Sequence, residues 1–243
     1  MNAVLNRIVI VAFLASGIGG GVWALTVPSD KVHSPEAKAP VVVELFQSQG
    51  CSDCPPAQAN LNALSDRSDV LALSYGVTYW DSLGWKDSFA SPQFTDRQRA
   101  YSRGNGGSAV ATPQFWINGR TTILGSNPAR VAHVVAQGGP TYGPVIRLAS
   151  GKVTIDAGMA AAGGADVWLV RYDPRTIKVA IRAGENGGRV LPHRDIVREL
   201  RRIGFWTGTA LTLPIPPAHM AGLKMAILLQ GTSGGPILSA VKG

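Results

Sequence analysis

Two runs of apolar residues predict buried strands with a helix between them. The residues "VVVELF" (41–46) and "VLALSYGVTYW" (70–80) are almost continuously apolar, as in strands that are buried on both faces. Between them, "AQANLNALSDR" places Ala57, Leu61 and Leu64 on one helical face. The order strand, helix, strand predicts a βαβ unit with parallel strands and a right-handed crossover.

Further along the chain, the pattern predicts two more helices and a hairpin. Residues 91–103 are predicted to be helical, with Ser91 as the N-cap and Pro92 at the first helical position. An Asn-Gly dipeptide at 118–119 lies between two apolar runs, which is typical of a type I′ hairpin. Residues 127–137 then predict a further helix.

The last hundred residues alternate strands and turns. The runs "VTIDAG", "ADVWLVRYD", "TIKVAIRAG", "TGTALTLPI" and "LKMAILLQG" are of β type. One helix is predicted at 193–204, because apolar residues recur there at helical spacing and Gly204 follows them. The sequence therefore predicts an α/β domain at 41–140, followed by a small, mostly antiparallel β domain at 145–243 that carries one helix.

The first 40 residues have a different pattern from the rest. A short start with one positive charge, Arg7, precedes an uncharged stretch at 8–27. With the small residues around Ala24, this pattern predicts a secretory signal peptide, residues 1–24, and then a polar, proline-rich linker, residues 25–40. An uncleaved membrane anchor is the alternative, since about 20 apolar residues span a bilayer. We expect an exported protein, either periplasmic or secreted, or tethered to the inner membrane.

Positive charge is concentrated in the C-terminal part of the 243-residue chain, whose net charge is +8. Residues 41–144 contain seven Lys and Arg against seven Asp and Glu, whereas residues 145–243 contain thirteen against six. No nucleic-acid-binding motif accompanies this charge, so we expect no nucleic-acid partner. The basic C-terminal part predicts either weak contact with a membrane surface or an acidic partner, or simply a solvated basic face.

Both cysteines of the chain, Cys51 and Cys54, form a C-x-x-C motif directly after the first predicted strand. In an exported protein, two such thiols persist as a disulfide. Two cysteines are too few for a disulfide scaffold, and a bridge that closes so short a loop stabilises a fold little. The pair is therefore interpreted as a chemical site rather than as a structural clip.

The start of a helix is a favourable place for a thiolate. Free N–H groups and the helix dipole lower the pKa of a cysteine there below its free value of about 8.5. Asp53, between the cysteines, opposes this shift through its negative charge. We expect Cys51 to be the nucleophile, with a moderately lowered pKa, and Cys54 to resolve the mixed disulfide.

Two other functions use the same cysteines. A C-x-x-C pair binds copper(I), as in a metallochaperone, alone or with a third ligand. A non-enzymatic binding module with a regulatory disulfide is the second alternative. The histidines show no ligand spacing and are interpreted as surface or core residues; they are His33, His133, His193 and His219. We therefore expect no bound cofactor or metal.

The predicted order β-α-β-α-β-β-α, with C-x-x-C at the first helix, resembles the thioredoxin fold. Thr112-Pro113 directly precedes a later strand. The resemblance implies that Pro113 is cis and faces the disulfide, and that the backbone of Thr112 contacts an extended substrate. The segments "VVELFQSQGCSDCPP", "YWDSLGWKDSFASPQFTDRQRAY", "TPQFWINGR" and "GENGGRVLPH" further resemble exported bacterial proteins grouped as domain of unknown function 1223.

Three further features are candidate parts of the site. Glu44 lies in an apolar strand, and the thioredoxin resemblance implies a buried acid that accepts a proton from Cys54; an outward-facing strand edge is the alternative. Trp80 and Trp85 belong to a segment interpreted as a substrate-binding lip or as a local aromatic core. The cluster "GENGGR" at 184–189 is interpreted mainly as a glycine-rich turn that caps the helix predicted at 193–204.

Together these features predict an exported thiol–disulfide oxidoreductase. Its expected partners are exported proteins that contain thiols or disulfides, or small thiols.

Overall fold

Strands β1 (Val41–Gln47) and β2 (Val70–Gly76) run parallel, and helix α1 (Cys54–Leu64) connects them. This arrangement confirms the predicted βαβ unit. The computed structural model describes residues 39–160 and 163–243. The predicted signal peptide and all but the end of the predicted linker lie outside the described residues.

The other elements follow in chain order. The helices are α2 (Pro92–Gly104) and α3 (Pro128–Gly138). The strands are β3 (Gln114–Ile117), β4 (Thr121–Ile123), β5 (Ile146–Ala149), β6 (Lys152–Ile155), β7 (Ala165–Asp173), β8 (Ile177–Ala180), β9 (Val190–His193), β10 (Ile196–Trp206), β11 (Leu211–Pro214), β12 (Lys224–Gly231) and β13 (Ile237–Lys242). The fold class is therefore mixed α/β.

A large mixed sheet organises the described residues. Its eight strands lie in the order β13-β12-β7-β10-β2-β1-β3-β4. Strands β5, β6 and β11 form a second, antiparallel sheet, and β8 pairs with β9 in a two-stranded ribbon. No helix in the described part of the chain is long and apolar enough to cross a membrane.

Helices cover both faces of the sheet around β1. Alternate residues of β1 face opposite sides, as the period of a strand requires. Val43 and Leu45 pack against α1 and α3, in a cluster that includes Leu61 and Val134. Val42 packs on the other face, in a cluster with Phe94 and Tyr101 of α2. The near-continuous apolar run of β1 thus reflects burial on two sides.

The two helices and the hairpin predicted between residues 91 and 137 are confirmed. Helix α2 has Ser91 as its N-cap and begins with Pro92, and the N-cap Asn127 of α3 accepts a hydrogen bond from the backbone N–H of Arg130. Asn118 and Gly119 both have positive φ, and β3 pairs with β4 across them, as the predicted hairpin requires.

The helix predicted at 193–204 is wrong, because this segment contains β10. Two irregularities interrupt the pairing of β10 with β7, one between Val197 and Glu199 and one before Gly204. A bulge adds a residue to one strand and shifts its in–out alternation. Val197 and Leu200, three residues apart, consequently face the same core cluster, which mimics helical spacing.

The boundary predicted between residues 140 and 145 does not separate two domains. Strands from both sides of it join in the eight-stranded sheet, and the described residues, 39–160 and 163–243, belong to one compact unit. The core gives the physical reason, because Val42 of β1 and Val170 of β7 belong to the same buried cluster.

Candidate active site

Strand register brings distant loops together beside the cysteines. The carboxyl ends of parallel β1 and β2 meet at one edge of the sheet, so the loops that follow them are neighbours. Strand β3 runs antiparallel to β1 and its first residue, Gln114, pairs with Phe46 near the end of β1. Strand β10 begins beside Ser74, near the end of β2. The segments that precede β3 and β10 therefore reach the same edge.

A disulfide joins Cys51 and Cys54 at the start of α1. Cys54 is the first residue of the helix and Asp53 is its N-cap. Pro55 and Pro56 occupy the first turn, where a missing N–H removes no helical hydrogen bond. Both cysteines are only 1% exposed, so neighbouring segments shield the bridge from solvent.

The segment before β3 contacts the first cysteine. The peptide bond between Thr112 and Pro113 is cis, as predicted. The carbonyl oxygen of Thr112 lies 3.6 Å from Sγ of Cys51, and Pro113 is buried. The structure thus brings Thr112 to the disulfide, although the two are 61 residues apart in the chain.

Trp80 and Trp85 each donate a hydrogen bond to a residue near the disulfide. The indole N–H of Trp80 donates to Oγ1 of Thr112 at 2.7 Å. The indole N–H of Trp85 donates to Oε1 of Gln49 at 2.9 Å. Both side chains are half-buried. The aromatic segment therefore holds the side chains of Thr112 and Gln49, which lie near the disulfide, and both indole rings remain partly exposed.

Asp87 fixes the cysteine loop from the same segment. Its carboxylate accepts hydrogen bonds from the backbone N–H groups of Gln49 at 2.8 Å and Phe89 at 2.7 Å. Asp87 is 3% exposed. Burial raises the pKa of Asp87 to about 6, although these backbone hydrogen bonds oppose the rise. Asp87 is a residue that the sequence analysis did not single out.

The cluster at 184–189 covers the cysteine loop from the C-terminal part of the chain. Asn186 is fully buried, and its amide donates to the carbonyl oxygens of Gln49 at 2.9 Å and Cys51 at 2.8 Å. The carboxylate of Glu185 accepts a hydrogen bond from the backbone N–H of Ser52 at 3.0 Å. The interpretation of this cluster as a helix cap is wrong, because β9 and β10 follow it and not a helix.

Glu44 is buried in β1, so the strand-edge alternative is wrong. Its carboxylate accepts hydrogen bonds from the guanidinium of Arg97 at 2.8 Å and 3.2 Å. The hydroxyl of Tyr101 donates to the same carboxylate, and Arg97 also donates to Gln230 at 3.0 Å. Glu44 is thus the centre of a buried polar network that joins β1, α2 and β12.

This network lies on the face of the sheet opposite to α1. Val42 and Phe46, two positions to either side of Glu44, pack in the cluster that contains Tyr101 of α2. Cys54 begins α1, which packs on the other face. The expected role of Glu44 as the proton acceptor for Cys54 is therefore corrected to a structural ion pair with Arg97.

The described residues contain no group of three or more His, Cys, Asp or Glu side chains that could hold a metal ion. The copper alternative consequently gains no third His, Cys, Asp or Glu ligand from residues 39–160 and 163–243.

The arrangement can be compared with known proteins. Residues 42–230 match the family model described as protein of unknown function (DUF1223). The chain belongs to this family. A crystal structure of protein AGR_C_4864 from Agrobacterium tumefaciens is similar to this DUF1223 protein at a TM-score of 0.69 and 32% identity, over 84% of this chain and 94% of that one.

A second solved structure, HBP35 of Porphyromonas gingivalis, shares the fold of this DUF1223 protein. Its TM-score is 0.58 at 13% identity, over 85% of this chain and 75% of that one. No curated protein matches the chain.

Proposed function

We propose that this protein is a thioredoxin-like thiol–disulfide oxidoreductase that uses Cys51 and Cys54. The observation that carries the proposal is the position of Sγ of Cys51, before the first turn of α1 and 3.6 Å from the carbonyl oxygen of Thr112. A C-x-x-C disulfide at a helix start, with a backbone carbonyl beside its first sulfur, suits capture of an extended substrate by backbone hydrogen bonds.

The proposed reaction has two exchange steps. In the reduced protein, the Cys51 thiolate attacks a substrate disulfide, forms a mixed disulfide and expels one substrate thiolate. Cys54 then loses its proton and attacks Sγ of Cys51, which releases the second substrate thiol and restores the Cys51–Cys54 bond. The substrate gains the two electrons that the protein loses. The same steps in reverse oxidise a dithiol.

Access to Cys51 limits which substrates fit. Cys51 is 1% exposed, and Asn186 holds the 184–189 segment to the cysteine loop. A small thiol or disulfide, or an extended chain that displaces this segment, fits this arrangement better than a folded protein surface. Exported proteins with thiols or disulfides, and small thiols, are therefore the substrate classes of the proposal.

Export belongs to the proposal as well. Its support is the sequence at 1–24, which has the pattern of a secretory signal peptide. Export matters for the chemistry, because a stable disulfide needs an oxidising compartment. Weak contact of the basic C-terminal part with a membrane surface stays a prediction.

The test is a single-turnover reaction of the reduced protein with an aromatic disulfide that releases a coloured thiolate. We expect the wild type to release both aromatic thiols and to end as the Cys51–Cys54 disulfide. Cys54→Ser should release one thiol and keep the other as a mixed disulfide on Cys51, visible by mass. Cys51→Ser should react slowly, because it lacks the thiol that lies before the first turn of α1 and beside the Thr112 carbonyl. Wild-type kinetics in Cys51→Ser would contradict the proposal.

A further inference from the structure

A cavity of about 240 Å³ opens beside the second cysteine. Cys54, Gln47 and Gln58 line it from the N-terminal half of the chain. Leu191 and His193 of β9 line it from the other side. The cavity thus joins the resolving sulfur to a strand that lies about 140 residues later in the sequence.

His193 is the unexplained polar side chain of this cavity. It is 2% exposed, and neither of its ring nitrogens has a hydrogen-bond partner among the described residues. Buried polar groups in folded proteins are nearly always paired, so an unpaired imidazole needs a reason. Gln58, by contrast, is fully engaged, because its amide donates to Asn62 at 2.8 Å and accepts from Ser74 at 2.8 Å.

Burial, and not a neighbouring charge, keeps the His193 ring neutral. The Phe89 ring contacts the His193 ring edge to face, with ring centroids 5.6 Å apart. The guanidinium of Arg198 lies over the Phe89 ring. Arg189 also lines the cavity, where it donates to Oδ1 of Asn186. No carboxylate is among the described residues that line the cavity. Burial lowers the pKa of His193 to about 4, so a lone pair is available near neutral pH.

We propose that His193 accepts the proton of Cys54 when this thiol resolves the mixed disulfide. The inference rests on the proposed function and adds a residue to it. In the step, the Cys54 S–H bond breaks and its proton moves to a ring nitrogen of His193, directly or through water. The Cys54 sulfur then bonds to Sγ of Cys51 while the bond from Cys51 to the substrate sulfur breaks. The imidazolium and the new thiolate stabilise each other until the disulfide forms.

The experiment follows both phases of coloured thiol release from an aromatic disulfide in stopped flow. The first phase reports attack by Cys51, and the second reports resolution by Cys54. In His193→Phe, which keeps a ring but removes both nitrogens, we expect an unchanged first phase. The second phase should slow by about a hundredfold, the lower end of what general acid–base groups contribute.

Two further variants separate proton transfer from packing. In His193→Ala, added imidazole should restore part of the second phase, because the space of the lost ring adjoins the cavity. Leu191→Ala enlarges the same cavity without removing a base, and it should keep both phases and gain nothing from imidazole. If His193→Phe does not fold, the effect of imidazole on the second phase of His193→Ala tests the proposed role of His193.

The outcomes distinguish the inference from the proposed function. A second phase as fast as in the wild type in His193→Phe, or no response of His193→Ala to imidazole, would overturn the role of His193 while leaving exchange intact. If the wild type itself shows neither phase, the proposed function fails and this inference fails with it.

Discussion

The carboxylate of Glu185 accepts a hydrogen bond from the backbone N–H of Ser52 at 3.0 Å, between the two cysteines. This contact lowers the pKa of Glu185. It also places a negative charge beside the start of α1, where a Cys51 thiolate would lie in the reduced protein. We therefore expect the charge of Glu185, in the C-terminal part of the chain, to affect the reactivity of the cysteine loop.

Removing the charge of Glu185 should make Cys51 more acidic. Glu185→Gln keeps a side-chain oxygen for Ser52 but lacks the negative charge that opposes the thiolate. Because Glu185 is exposed and screened by salt, we expect the pKa of Cys51 to fall by roughly half a unit. The pH dependence of iodoacetamide alkylation of reduced protein measures it. Asp96→Asn, on the exposed face of α2, is the control; an unchanged pKa in Glu185→Gln would refute the electrostatic role.

Freeing the 184–189 segment should expose the disulfide. Asn186→Ala removes the amide that donates hydrogen bonds to the backbone carbonyls of Gln49 and Cys51. Leaving each of these buried carbonyls without a partner costs about 1–3 kcal/mol of stability. We expect a lower melting temperature together with faster reduction by dithiothreitol. Asn105→Ala, which removes a side-chain hydrogen bond to the backbone carbonyl of Tyr101 at the end of α2, should leave the reduction rate unchanged. Equal reduction rates in all three proteins would count against a covering role.

Asp87 should make stability depend on pH below neutrality. Its pKa is raised to about 6 from 3.8, so the fold prefers the protonated form. The contribution of Asp87 to stability is therefore largest below pH 4, falls as the pH rises from about 4 to 6, and is constant above that. The stability difference between wild type and Asp87→Asn should fall by on the order of 2–3 kcal/mol across this range. Urea titrations at several pH values measure it, and a flat difference would contradict the assignment.

The corrected role of Glu44 makes a separate prediction. Arg97→Met leaves the fully buried Glu44 carboxylate without its cation, which should cost about 3–5 kcal/mol of stability. Glu44→Gln should also destabilise the fold but leave the second phase of thiol release unchanged, because the network lies on the opposite face of the sheet from α1. A slower second phase in folded Glu44→Gln would restore the proton-acceptor role.

The sequence predicts the elements around β1 well, because their signals are local. The apolar run of β1, the N-cap Ser91 and the Asn-Gly turn each depend on a few adjacent residues. Thr112-Pro113 is predicted from the resemblance; its peptide bond is cis, and the Thr112 carbonyl oxygen lies 3.6 Å from Sγ of Cys51.

The remainder of the site depends on pairing between distant strands. Glu185 and Asn186 reach the cysteine loop because β10 begins beside the end of β2, and no local pattern records this pairing. The error at 193–204 arose because bulges in β10 produced helical spacing within a strand. For Glu44 the sequence leaves a buried acid and an outward-facing strand edge as alternatives, because its partner Arg97 lies 53 residues away.

The central claim is that Cys51 and Cys54 form an exchanging pair and not a structural bridge. The most direct measurement is the reduction potential of this disulfide, from equilibration of the purified protein with dithiol buffers. The account predicts a value between about −120 and −270 mV, the range of thiol–disulfide oxidoreductases. A value below about −300 mV, typical of structural disulfides, would contradict it.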